Sequence, residues 1–326
     1  MLKKLAIFIC TAVSLTAFSF TAFAWEPKDP VTIIVSYKDG SGTDNGARIV
    51  QKYAQKYLGV NVKIENISGQ DGLVGWIYLI KSKADGQTIG YINLPTFTTY
   101  TTSPNPPFSI TDIVPICNHL TETAVVVVKA DSPFNTLQDL VASAQENGNI
   151  LASTNGLKAS NHTAAQLFAT SAGFTFFAVD CGGTSDQLLA LIHDEVQFSC
   201  AKYSDVVPFI KSDKPELKIL GVFSESRLDC CPEVPTLAEC GYYDKWYGSV
   251  RGLVAPKDTK LEIINFYKDA FEKMFSDPKV VEEHKQAGME LDYRDNLNLE
   301  ATIVQNEFFC RDVIPALFKE SSQHDN

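Results

Sequence analysis

Three turns in this chain carry the small, polar and glycine residues that recognition of a compact anion requires. The first is Ser36-Tyr37-Lys38-Asp39-Gly40-Ser41-Gly42-Thr43-Asp44. Its glycines let backbone approach a ligand, Thr43 or Asp44 can cap the helix that follows, and free N–H groups at a helix start favour negative charge. The second is Ser153-Thr154-Asn155-Gly156 leading to Ser160-Asn161-His162-Thr163, where Ser160 is a good N-cap. The third is Cys181-Gly182-Gly183-Thr184, with Thr184 and Gln187 at capping-box spacing. Any one such turn does no more than start a helix; three in one chain describe a polar anion cradle.

Individual side chains keep two readings each. His162, near a helix start where the dipole disfavours an imidazolium, is a neutral ligand contact or a cap and packing group. Lys38 is a positive charge at the mouth of a cleft or an ordinary solvated lysine. Tyr37, Tyr203, Trp246 and Tyr247 form an apolar wall or belong to the core. Pro95 and Thr96, just beyond the third strand, complete the candidate set.

The search for catalysis yields little. There is no GxSxG elbow, HExxH pair or Walker loop, and Gly40-x-Gly42-x-x-x-Gly46 is one residue too long for a dinucleotide fingerprint. Cys181 with His162 is the one nucleophile–base couple worth naming. No CxxC or Cys/His spacing suits zinc, so neither metal nor cofactor is expected. The chain is acidic, with a formal charge of −11, which argues against nucleic acid.

The elements that must position these turns alternate. Val31–Val35 reads as a strand, Ala47 to Leu58 as a helix stopped by Gly59, Val62–Glu65 as a strand, Gly72–Lys81 as a helix and Thr88–Ile92 as a strand. A valine-rich strand from Ala124 to Lys129 opens a second series. It continues with a helix from Thr136, a strand at Ile150–Ser153, a helix from Ser160 and a strand at Phe176–Val179. A helix from Thr184 and strands at Val196–Cys200 and Leu217–Phe223 follow. Helices over Leu261–Phe275 and Leu299–Leu317 close the chain. Two β/α series without a flexible linker predict an α/β protein of two lobes facing a cleft, with ligand beyond the carboxyl ends of the strands.

Residues 1–24 read as a secretory signal peptide: Lys3 and Lys4, an apolar stretch from Leu5 to Phe18, then Ala22-Phe23-Ala24. An extracytoplasmic, periplasmic location follows. Seven cysteines remain after it, an odd number, and Cys230 or Cys231 paired with Cys240 competes with seven free thiols.

The ordered series of motifs resembles the Bug receptors, the substrate-binding proteins of tripartite tricarboxylate transporters. Trp25-Glu26-Pro27 through Val35 is similar to their mature start, and Gly40-Ser41-Gly42-Thr43-Asp44 with Arg48 to their Gly-Gly-x-Thr-Asp loop. Ile64-Glu65-Asn66, Gly69-Gln70-Asp71-Gly72, Ala84-Asp85-Gly86 and Ser160-Asn161-His162 fall in order behind it. Val234-Pro235-Thr236 with Glu239 and Gly241, Trp246-Tyr247-Gly248 and Ala255-Pro256 complete the series. The resemblance implies a two-lobed periplasmic-binding-protein fold of type II, a Venus flytrap, with crossover strands near Val125–Lys129 and Arg251–Ala255. It implies a discontinuous first lobe, residues 25–127 plus 251–326, and a second lobe, 128–250. It further implies a monomer that holds a small carboxylate between the first loop and the Ser160 turn and presents it to a membrane permease of two integral subunits. An extracytoplasmic sensor and a secreted hydrolase are the competing functions. The chain departs from the family at Ser36-Tyr37, Lys38, Asp39, Cys181-Gly182-Gly183 and Ala201, all near the expected pocket.

Overall fold

The structure, a computed structural model, describes residues 25–148 and 150–321; the signal-peptide reading lies outside the described residues. The chain runs β1 (Val31–Val35), α1 (Gly42–Leu58), β2 (Val62–Asn66), α2 (Leu73–Ile80), β3 (Thr88–Leu94) and α3 (Thr96–Thr101). A 17-residue strand, β4 (Ile113–Lys129), leads into α4 (Leu137–Asn147), β5 (Leu151–Thr154), α5 (Ser160–Ala172), β6 (Phe177–Asp180) and α6 (Thr184–Ile192). Then come β7 (Phe198–Lys202), α7 (Tyr203–Ile210), β8 (Leu217–Val222), β9 (Gly248–Pro256) and α8 (Leu261–Phe275). The end is α9 (Pro278–Gln286), β10 (Leu291–Asp295), α10 (Asn296–Asp312) and α11 (Ile314–Ser321).

Local chemistry explains the helix limits. The Ser41 hydroxyl accepts the Asp44 N–H to cap α1, and Gly59, at φ 75°, ends it in a conformation that costs other residues more. Thr136 and Asp139 form a capping box on α4. The apolar face of α1, Ala47, Val50, Ala54 and Leu58, packs with β1 and with Tyr267, Phe271 and Met274 of α8 in one core. Val50, Leu58, Phe271 and Met274 each contribute about 1.5–3 kcal/mol by leaving water.

Strand order is β2-β1-β3-β9-β4-β7-β5-β6, with β8 and β10 also on β4. Strands β1, β2 and β3 are parallel, while β9 runs antiparallel to β3 and to β4. The first half of β4 pairs with β9 and β10; its second half pairs with β7 and β8. Thus β4 and β9 are the two strands on which the lobes are joined, and the fold is that of a two-lobed, type II binding protein. The crossover on β4 begins at Ile113, well before the valine run. Pro115, Asn118, His119, Thr121, Glu122 and Thr123 interrupt the apolar pattern, so periodicity alone recovers only the second half. The expected helix over Leu299–Leu317 is two helices, because Pro315 has no N–H and in an unbroken helix its ring would clash with the carbonyl of Arg311.

Among the described residues no helix is long and apolar enough to cross a membrane. Cys117, Cys181, Cys200, Cys230, Cys231, Cys240 and Cys310 are free thiols.

Candidate ligand cleft

The N-termini of α1 and α6 come from opposite lobes and open on one cavity of about 580 Å³. Its walls include Ser41, Gly42 and Thr43 from the first lobe and Gly182, Gly183, Thr184 and Ser185 from the second. Lying in the first turns, the amides of Gly42, Thr43, Thr184 and Ser185 have no intrahelical acceptor. Their partial positive charge meets across the cleft. Both helices are long enough, at 17 and 9 residues, for the dipole to count.

The lobes touch around this space. A Cβ on Gly42 would stand 2.5 Å from Asp205 Oδ1 and 2.6 Å from Arg251 Nη2, so only glycine lets α1 come this close to β9 and α7. A Cβ on Gly156 would collide with the Asp71 carboxylate, which reaches over from the first lobe. Lys38 Nζ bonds Asp186 Oδ2 at 3.2 Å, joining the first turn to α6. Both side chains are more than half exposed, so the pair contributes at most about 1 kcal/mol to closure.

Charge reaches the cavity wall at Arg251 and is buried behind it. Arg251, 3% exposed on β9, forms an ion pair with Glu122, 1% exposed on β4; Ser204 donates to the same carboxyl. The two strands place them diagonally, since Arg251 lies opposite Leu120. Lys202, buried on β7, donates to Ser160 Oγ at 3.1 Å and to Asn161 Oδ1. Burial pulls its ammonium down to about 8, against the charges of Asp205 and Glu122 that support it. For Glu122 burial prevails, and its carboxyl is raised despite Arg251.

Of the fifteen residues singled out in the sequence, Tyr37, Lys38, Ser41, Gly42, Thr43, Thr96, Asn155, Gly183 and Thr184 line the cavity. The other six do not. Asp44 lies beneath the first turn. Burial opposes its charge, but bonds from Arg48 Nε (2.7 Å), Asn66 Nδ2 (2.9 Å) and the Gly40 N–H (3.0 Å) hold the carboxyl low. The Pro95 carbonyl accepts from Thr98 Oγ1 and the Thr99 N–H. Ser160 and Asn161 serve Lys202, and Asn161 Nδ2 also reaches Gln187 Oε1 at 2.8 Å. His162 packs edge-on against Phe176 and Phe318, and its Nδ1 accepts the Lys158 N–H at 2.9 Å. Burial lowers that imidazole to about 4. Tyr203 belongs to the second-lobe core and donates to the Cys230 carbonyl at 3.2 Å. Of the four aromatics read as a wall, Trp246 and Tyr247 also point elsewhere, to Thr123 Oγ1 and the Ser160 carbonyl.

Sequence reasoning missed Arg251, Asp205, Asp71, Asn93 and Asp180, all on the cavity wall. One signal was present: Arg251 interrupts the otherwise apolar Val250–Val254, and a charge in a buried strand requires a partner or a purpose. Among the described residues no group of three or more His, Cys, Asp or Glu is placed to hold a metal ion.

Comparison with known proteins agrees with this architecture. Residues 46–314 match the model of the tripartite tricarboxylate transporter family receptor. A protein encoded in the gbd 5' region of Cupriavidus necator is 30% identical over 276 residues, covering 83% of this chain and 82% of its own. The periplasmic binding protein BugD superposes with a TM-score of 0.81 at 24% identity, over 91% of this chain and 98% of its own. MatC from Rhodopseudomonas palustris, solved with bound malate, gives 0.80 at 20% identity, over 88% and 99%. The chain belongs to the tripartite tricarboxylate transporter receptor family, whose fold is that of periplasmic solute-binding proteins.

Proposed function

We propose that the protein captures a small organic acid in the interlobe cleft and delivers it, as a closed monomer, to a two-subunit integral membrane permease. The observation that carries this reading is the convergence of two helix N-termini, one per lobe, on a single cavity of about 580 Å³. That space falls within the range of small-molecule sites. Each helix offers amides without acceptors, and such groups are satisfied by an anion. Malate in the related MatC fold supports the same class of ligand. In this reading residues 25–127 with 251–326 form one lobe and 128–250 the other, and ligand shifts the pair toward the closed arrangement. The location is extracytoplasmic, after removal of residues 1–24.

A thermal-shift screen of mono-, di- and tricarboxylates tests it. A bound acid at a hundred times its Kd adds about 2.7 kcal/mol of stability and raises the midpoint accordingly. If no acid raises the midpoint, or neutral amides raise it equally, the anion cradle is wrong.

A further inference from the structure

An anion site with so many carboxylates around it needs an explanation. Asp39, Asp71, Asp180, Asp186 and Asp205 line the cavity against only two cationic side chains, Lys38 and Arg251. Three of the acids are accounted for. Asp39 pairs with Arg48 at 2.7 Å, Asp186 with Lys38, and Asp205 lies beside the Arg251 guanidinium at the Gly42 contact. Among the described residues Asp71 and Asp180 remain without a cationic partner, one from the turn after β2 and the other from the end of β6, on opposite lobes; Asp180 Oδ1 accepts the Gly182 N–H, at 2.9 Å. Burial first, and the charge of Asp180 second, push the Asp71 carboxyl up to about 6, with no cation acting in the opposite direction. Two like charges facing across a cleft oppose its closure unless something positive enters between them.

A second observation points to that something as a hydrogen-bond donor. Asn93 is 9% exposed, lines the same cavity, and its Oδ1 has no partner. A buried acceptor left without a donor is costly, and a ligand N–H satisfies it. Asn93 and Asp71 lie around one ring: the Tyr37 hydroxyl faces the Asn93 amide and feels the Asp71 charge.

We infer that the ligand is a zwitterion, an amino acid whose carboxylate lies on the α1 and α6 amides and whose ammonium lies between Asp71 and Asp180, donating to Asn93 Oδ1. The inference rests on the carboxylate reading of the cleft and narrows it. It also gives a reason for the positions. Asp71 closes only onto a glycine, Gly156, so the acid is held at the seam where the lobes meet.

Calorimetry at pH 7.5 on the full mature chain, with matched pairs, tests the inference: L-aspartate against succinate, L-glutamate against glutarate, L-alanine against propionate, L-phenylalanine against 3-phenylpropionate. At least one amino acid should bind about tenfold or more tighter than its deaminated partner, the effect of charge-assisted hydrogen bonds in a desolvated site. In the Asp71→Asn/Asp180→Asn variant, which keeps both side-chain volumes, that ratio should fall to near one. Binding by deaminated acids alone, or a stabilising effect of Ca²⁺ with none from amino acids, overturns the zwitterion and leaves the carboxylate cradle standing. Silence from both members of every pair overturns both.

Discussion

The ion pair under the cleft makes a prediction that needs no ligand. Glu122 and Arg251 are almost wholly buried on adjacent crossover strands, and their side chains retain 1% and 4% of their exposure. Replacing Glu122 by Gln strands a guanidinium that cannot release its proton, with Asp205 as the remaining nearby charge; the expected loss is about 3–5 kcal/mol. Replacing Arg251 by Met acts differently, because the stranded carboxyl can take up a proton. Burial already raises the Glu122 pKa, and removing the guanidinium raises it further. A carboxyl whose folded pKa lies above the unfolded value of about 4.3 binds more protons folded than unfolded. Its penalty is therefore absent at low pH and grows as pH rises from the unfolded to the folded pKa. Arg251→Met should thus cost about 1–3 kcal/mol at acid pH, the size of a lost hydrogen bond. Relative to wild type the cost should then rise, by up to about 1.4 kcal/mol per pH unit, between the raised Glu122 pKa of the wild type and the higher one of the variant. Urea unfolding of both variants and of the double variant, followed by tryptophan fluorescence between pH 5 and 8, reads these terms. The double variant should be less destabilised than the sum, by up to about 3 kcal/mol. A pH-independent cost for Arg251→Met, together with a cost below about 1 kcal/mol for Glu122→Gln, would refute the desolvated-pair argument.

Two further outcomes follow from the same geometry. Gly42→Ala places a methyl against Arg251, on the same lobe as Gly42 in the proposed division, and against Asp205 of the other lobe. An overpacking cost of about 1–3 kcal/mol should lower urea stability without ligand and weaken ligand binding by about 5- to 150-fold, and unchanged stability together with unchanged affinity would count against the close approach. His162, buried and lowered to about 4, binds fewer protons folded than unfolded. It therefore subtracts stability as pH falls from about 6.5 toward 4, and His162→Gln should flatten that decline by up to about 1.4 kcal/mol per pH unit; an unaltered slope would place the imidazole in water.

How far the site could be read in the residues depends on which polar groups the fold leaves free. The first turn was legible, because Ser41, Gly42 and Thr43 stand at the start of a helix whose apolar face is plain from Ala47, Val50, Ala54 and Leu58. The opposing turn was not. Ser160, Asn161 and His162 have the hydroxyl, amide and imidazole that an anion cradle uses, and their spacing is as suggestive as that of the first turn. Yet Lys202 draws the Ser160 and Asn161 side chains inward, while His162 is sealed by Phe176 and Phe318. The face of the second lobe that reaches the cleft is formed instead by Asn155, Asp180, residues 182–186 and Asp205, of which Asn155, Gly183 and Thr184 were legible in the sequence. The deciding residue is the lysine at the end of Phe198-Ser199-Cys200-Ala201-Lys202. On a local reading it is a solvated strand end. Pairing of β7 with the valine-rich half of β4 buries it, and a buried ammonium must collect acceptors from whatever turn is nearest. Arg251 obeys the same rule on β9, with Glu122 as its counter-charge. Lone charges inside apolar strands are therefore the better guide to which candidate loops are already in use, and a turn rich in donors and acceptors remains a candidate only after those charges have been supplied.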